Sequence, residues 1–145
     1  MQRFIIDASA VMANFLTEPE TPSAQALFRA FVVSNRTIDL VLPEFGKLEC
    51  VNVIWKHIRF HKLPTLQGEA FIRVLLQYPF NLYSLEGLYE EAYAIGMQYN
   101  LAIYDSVYIA LAKHLNCPLI TLDQKQASAA AQEHVTLKPI TEFVQ

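Results

Sequence analysis

Two short apolar runs in this chain stop at an aspartate: Phe4-Ile5-Ile6 at Asp7, and Leu119-Ile120-Thr121-Leu122 at Asp123. Short runs without polar alternation suit strands buried on both faces of a sheet. Asp39-Leu40-Val41-Leu42, stopped at Pro43, reads as another strand. Phe80-Asn81-Leu82-Tyr83 reads as a third, and Val135-Thr136-Leu137 as the last. Between these runs the apolar residues take helical spacing. Ser9 is placed to cap a short helix reaching about Phe15. Ser23 starts a helix carrying Ala24, Leu27, Phe28 and Phe31. A long helix over about 44–61 has Leu48, Val51, Ile54, Trp55 and Ile58 on one face. Further helices are expected over about 65–76, 86–98, 104–115 and 126–132. Strands alternating with helices predict an α/β domain, a parallel sheet covered on both faces, with right-handed crossovers. In such sheets ligands bind beyond the carboxyl ends of the strands, where strand order reverses. If the first and fourth strands are neighbours there, Asp7 and Asp123 meet at one rim.

Two further acids interrupt apolar helical patterns. Glu49 has Phe45 and Val53 four residues to either side, and Asp105 lies in Ala102-Ile103-Tyr104-Asp105-Ser106-Val107-Tyr108. A buried carboxylate is costly unless it is paired, hydrogen-bonded or bound to a metal, and nearby cations are too few to pair all four acids. Each acid also has a purely structural reading. Asp7 and Asp105 could cap helices, Glu49 could face solvent, and Asp123 could be a turn residue. Taken together, clustered carboxylates repel one another and persist in ionised form around a divalent cation. An all-oxygen ligand set favours Mg²⁺ or Mn²⁺ over zinc. Such an ion activates water and neutralises charge on a phosphodiester.

These segments resemble the PIN domain, in particular the VapC-type toxin ribonucleases of toxin–antitoxin pairs. The resemblance spans nearly the whole chain. It is carried by Phe4-Ile5-Ile6-Asp7-Ala8-Ser9-Ala10, by Glu49 with Asn52, by Tyr104-Asp105-Ser106-Val107-Tyr108-Ile109-Ala110-Leu111-Ala112, and by Leu119-Ile120-Thr121-Leu122-Asp123. It implies a three-layer α/β/α fold with a parallel sheet of order 3-2-1-4-5. It further implies Asp7, Glu49, Asp105 and Asp123 as catalytic metal ligands, and Ser9, Asn52 and Thr121 as supporting residues. The implied activity is Mg²⁺- or Mn²⁺-dependent endoribonuclease action, with RNA as substrate, a cognate antitoxin as partner, and a homodimer. The alternative is a non-catalytic interaction module on the same fold. Two departures stand out. Ser106 replaces an Ala found in many relatives, and Gln124 and Gln126 follow Asp123 where some relatives carry an extra acid. Glu44 competes with Glu49 for the helix acid, but it directly follows Pro43 and suits a first helical turn.

Composition narrows the alternatives. The chain has 145 residues, 53% hydrophobic and 17% charged, with a net charge of −3. The length fits one domain, 1–145, and the low charge excludes a disordered chain. A charged fraction below the ~25% typical of soluble domains suggests apolar surface covered by a partner or a second copy. Weak acidity argues against bulk electrostatic binding of nucleic acid. Lys56-His57-Ile58-Arg59-Phe60-His61-Lys62 is the dense positive stretch, and Lys56, Arg59 and Lys62 are candidate RNA contacts. His57 and His61 have i, i+4 spacing but lack the glutamate of a zinc HExxH motif. No run is long enough to span a membrane, and Asp7 interrupts any leader-like start. Cys50 and Cys117 are far apart and read as reduced thiols, consistent with the cytoplasm. A haloacid-dehalogenase-type phosphatase would need an acid where Ser9 stands. A receiver domain would need paired acids after the first strand.

Overall fold

The computed structural model describes residues 1–33 and 35–144. The elements run β1 (Gln2–Ile6), α1 (Ala8–Ala13), α2 (Thr21–Val32), β2 (Ile38–Pro43), α3 (Gly46–Phe60), α4 (Thr65–Gln77), β3 (Asn81–Tyr83), α5 (Tyr89–Tyr99), α6 (Ile103–Leu115), β4 (Leu119–Ile120) and α7 (Gln124–Gln132). A short 3-10 turn follows at Ile140–Glu142. The four strands are parallel in the order β3-β2-β1-β4 and are flanked by helices. β1 therefore lies between β2 and β4, and strand order reverses at the β1–β4 pair, as expected.

The predicted fifth strand is reduced to one parallel bridge between Leu119 and Leu137. It sits beside β4, where the 3-2-1-4-5 order places it. Two features stop it from lengthening. His134 enters with a left-handed φ of 63°, and Pro139 follows with no N–H for a ladder.

The core is continuous. Ile5, Ile6, Leu40, Val41 and Leu42 have no exposed surface, consistent with strands covered on both faces. α6 packs across β1, β2 and β4, and its residues 106–112 are all buried. Phe28, Phe31, Tyr78 and Phe80 form an aromatic cluster, with ring centroids 4.8–6.3 Å apart. Cys50 and Cys117 are both free thiols. Among the described residues no helix is long and apolar enough to cross a membrane.

Two local expectations change. α3 buries Gly46, Cys50 and Ile54, one residue per turn, and leaves Leu48 and Trp55 exposed. The helix is rotated from the face drawn by hydropathy, because it packs against α1 and α4 as well as β2. The first helix is capped by Asp7 rather than Ser9, and α2 starts at Thr21, ahead of Ser23.

Gly46 sets the approach of α3 to the sheet. A Cβ at this position would stand 2.8 Å from Leu42 Cβ, an atom with no freedom to move aside. Alanine normally gains about 1 kcal/mol over glycine in a helix. Here overpacking outweighs that gain, so Gly46→Ala is expected to lower stability by about 1–3 kcal/mol, measured as a reduced urea midpoint.

Candidate active site

Asp7 sits where β1 ends, and its backbone N–H donates to Ile120 O (3.1 Å), across the switch point. Its side chain is 4% exposed. Oδ1 accepts from Ser9 Oγ (2.7 Å) and Ala10 N (3.1 Å), and Oδ2 accepts from Thr121 Oγ1 (2.7 Å). Burial nevertheless pushes its pKa up to about 6, against the pull of these three donors. Thr121 Oγ1 also accepts from Asp123 N (3.0 Å), and Ser9 Oγ accepts from Leu122 N (3.0 Å). Two hydroxyls thus lock the end of β1 to the segment after β4.

Asp123 caps α7, its Oδ1 accepting from Gln126 N (3.0 Å). Asp105 lies in the first turn of α6, whose cap is Ala102 without a side-chain bond. The capping role considered for Asp105 is therefore absent, while Asp7 and Asp123 both cap helices and line the site. Burial raises the Asp105 pKa, and the charge on Asp123 raises it further. Glu49, in the first turn of α3, accepts from Tyr108 Oη (2.5 Å), and burial raises its pKa despite that bond.

These four carboxylates line one cavity of about 650 Å³. None takes part in a salt bridge among the described residues. Asp39, the acid buried within β2, is instead paired with Arg3 at 2.9 Å. The acid that serves only the sheet has a cation, and those at the rim do not. Glu44 is exposed and does not line the cavity, so of the two helix acids it is Glu49 that faces it.

The supporting residues divide. Ser9 and Thr121 hold the Asp7 carboxylate directly. Asn52 is exposed one turn beyond Glu49 and lines an adjoining groove of about 440 Å³. In the basic stretch Lys56 lines the acidic cavity, whereas Arg59 and Lys62 are exposed and do not. Sequence reasoning missed several wall residues. Glu18 and Glu20 come from the proline-containing loop after α1, and His57 projects from α3, its Nδ1 3.0 Å from Val53 O. The spacing of His57 one turn beyond Val53, and two beyond Glu49, was the available signal. Gln126 was also missed. It is fully buried, and its Nε2 donates to Asp105 O (2.9 Å), tying the start of α7 to α6. Its Oε1 has no hydrogen-bond partner among the described residues.

As they stand, no three acid, histidine or cysteine side chains among the described residues are drawn together into a ready-made metal cage. The site is an open acidic cavity with rigidly held walls.

Known proteins share this arrangement of strands and helices. The PIN domain pattern matches residues 4–132. Ribonuclease VapC3 of Pyrobaculum aerophilum is 26% identical over 127 residues, covering 86% of this chain and 92% of the relative. The VapC ribonuclease Mb0985 of Mycobacterium bovis is 26% identical over 136 residues, covering 93% and 98%. A crystal structure from Pyrobaculum aerophilum superposes with a TM-score of 0.70 at 17% identity, covering 97% of this chain and 85% of that one. VapBC2 of Rickettsia felis, bound to a fragment of its promoter DNA, superposes with a TM-score of 0.64 at 12% identity, covering 95% and 98%. The structural likenesses show the fold, and the match over residues 4–132 shows the family: the chain belongs to the PIN domain family.

Proposed function

We propose that this protein is a divalent-metal-dependent endoribonuclease, acting as the toxin of a toxin–antitoxin pair. One observation carries the reading: four carboxylates from four elements face one cavity without a salt bridge, while the structural acid Asp39 is neutralised. The VapC ribonuclease relatives support RNA as the substrate. The VapBC2 likeness supports a partner antitoxin.

The donor set suits Mg²⁺ or Mn²⁺: oxygen only, and anionic in excess. The missing cage is compatible with Mg²⁺, which keeps several waters and commonly takes one or two carboxylates directly. Asp7, Glu49, Asp105 and Asp123 would hold the ion, directly or through its waters. When bound, it would activate a water and offset negative charge on the phosphodiester.

The chain's own groups prepare that event. Ser9, Thr121 and the Ala10 N–H fix both Asp7 oxygens. Tyr108 orients Glu49, and Gln126 fixes the backbone of Asp105. Lys56 supplies positive charge at the cavity wall for the RNA backbone, with Arg59 and Lys62 further along the same helix end. A homodimer in the cytoplasm completes the reading. Tyr89, Tyr93 and Met97, four residues apart on α5 and each at least 60% exposed, offer apolar surface for such contacts.

The purified protein is expected to cleave RNA with Mg²⁺ or Mn²⁺ and to stop in EDTA. Asp7→Asn should reduce the rate by more than the ~10–100-fold typical of losing an outer-shell partner. Cleavage that persists in EDTA, or in Asp7→Asn, would sink this mechanism.

The same site carries a stability cost. The folded-state pKa of Asp7, about 6, lies above its ordinary 3.8. Between those values the folded state binds more protons than the unfolded one, so stability falls as pH rises through this window. Raised Glu49 and Asp105 values act in the same direction. In EDTA at pH 7, Asp7→Asn should be more stable than the native protein, by up to about 3 kcal/mol. This difference should shrink toward pH 4, as followed by thermal melts across pH.

A further inference from the structure

Glu49 lines both the acidic cavity and the second groove beside it. Phe45, Leu48, Asn52 and Tyr104 complete its walls. Its chemistry is the reverse of the first: among the described residues no Lys, Arg or His lines it, and the one charged group is the carboxylate shared with the site. A phosphate would be repelled there. A flat, uncharged ligand would not.

The groove has the two devices that recognise such a ligand. Tyr104 is 63% exposed and held edge-to-face against Phe45, with centroids 5.1 Å apart at 81°. Phe45 packs in the same way on Tyr108 (5.8 Å, 88°), whose hydroxyl donates to Glu49. A chain of aromatic contacts thus braces the outer ring against a carboxylate of the site. Asn52 is exposed and makes no side-chain hydrogen bond among the described residues. Its amide offers donors and an acceptor side by side, a match for the edge of a base.

We propose that this groove is a nucleobase subsite: a base next to the cleaved phosphodiester of a single-stranded RNA stacks on Tyr104 and presents its edge to Asn52. The inference rests on the ribonuclease reading and adds to it the part of the substrate that is held outside the acidic cavity. An unpaired strand is required, because a base in a duplex has no free face to stack. A strand whose phosphate meets the acids would carry its neighbouring base into the groove, since both share Glu49. This shared carboxylate, and the absence of any cation among the described residues of the groove, favour a base over an acidic or extended peptide.

The test uses the full-length protein and a short single-stranded RNA bearing 2-aminopurine. Binding is followed by fluorescence with Ca²⁺ present, and cleavage is followed separately with Mg²⁺. Stacking on Tyr104 is expected to quench the probe. Tyr104→Ala should weaken binding and raise KM by about 5- to 150-fold, the range that base–aromatic stacking spans, with a much smaller change in kcat. Tyr104→Phe should restore both. Asn52→Ala should alter which base is preferred at the cleaved position. An abasic site at that position should cost the native protein at least as much as Tyr104→Ala does, and cost the variant less than it costs the native protein. Equal binding and KM in native and Tyr104→Ala protein overturn the inference, even where RNA is cut. So does a Tyr104→Ala variant that loses a purified antitoxin but keeps its RNA affinity, which assigns the groove to protein. Tyr104-dependent quenching without cleavage upholds the subsite and overturns the nuclease reading.

Discussion

The Asp7 carboxylate, buried at the end of β1 and held by Ser9, Thr121 and the Ala10 N–H, is the interaction on which the rest of the site depends. It caps α1 and receives a hydroxyl from the segment after β4. Through Thr121 and Ser9 it reaches the backbone of Asp123 and Leu122. A single residue therefore joins the helix after β1 to the strand beside it. Hydrogen bonds alone do not make this arrangement comfortable. Desolvation outweighs them, and the carboxyl resists ionisation up to about pH 6.

That strain has a counterpart elsewhere in the same sheet. Asp39 is also buried, but Arg3 reaches across from β1 to pair with it. The chain had the means to neutralise a buried acid and did not use it at the rim. Lys56 and His57 line the cavity without a salt bridge to the four acids among the described residues. Uncompensated carboxylates in a rigid cavity are the expected condition of a site that awaits a cation and an anionic substrate. Stability is given up locally, and the continuous core beneath supplies it.

Much of this was readable from residue order. Apolar runs ending at Asp7 and Asp123 specified strands whose carboxyl ends carry acids. Glu49 and Asp105 declared themselves by interrupting apolar helical patterns, since a charge in such a setting calls for a reason. The fifth strand was placed correctly but overextended, because a three-residue apolar run does not reveal that His134 and Pro139 pinch it to one bridge. The apolar face of α3 was misdrawn for a related reason. Leu48 and Trp55 are hydrophobic, yet Gly46, Cys50 and Ile54 face the core, and hydropathy alone does not distinguish a buried stripe from an exposed groove. Asn52, expected to support the acidic site, lines the groove beside it instead.

By itself, the sequence determined the α/β class and the parallel sheet, and it singled out the four acids that come to line one cavity. Those follow from local periodicity and from the cost of placing charge among apolar residues. Only the tertiary structure decided which polar neighbours act on those acids, and which do not. Thr121 reaches Asp7 across 114 positions of chain, and Tyr108 reaches Glu49 across 59. Gln126 ties α7 to Asp105, and Arg59 and Lys62 fall outside the cavity that Lys56 lines. Contacts of that range depend on helix rotation and strand order, which are set by packing the whole core at once.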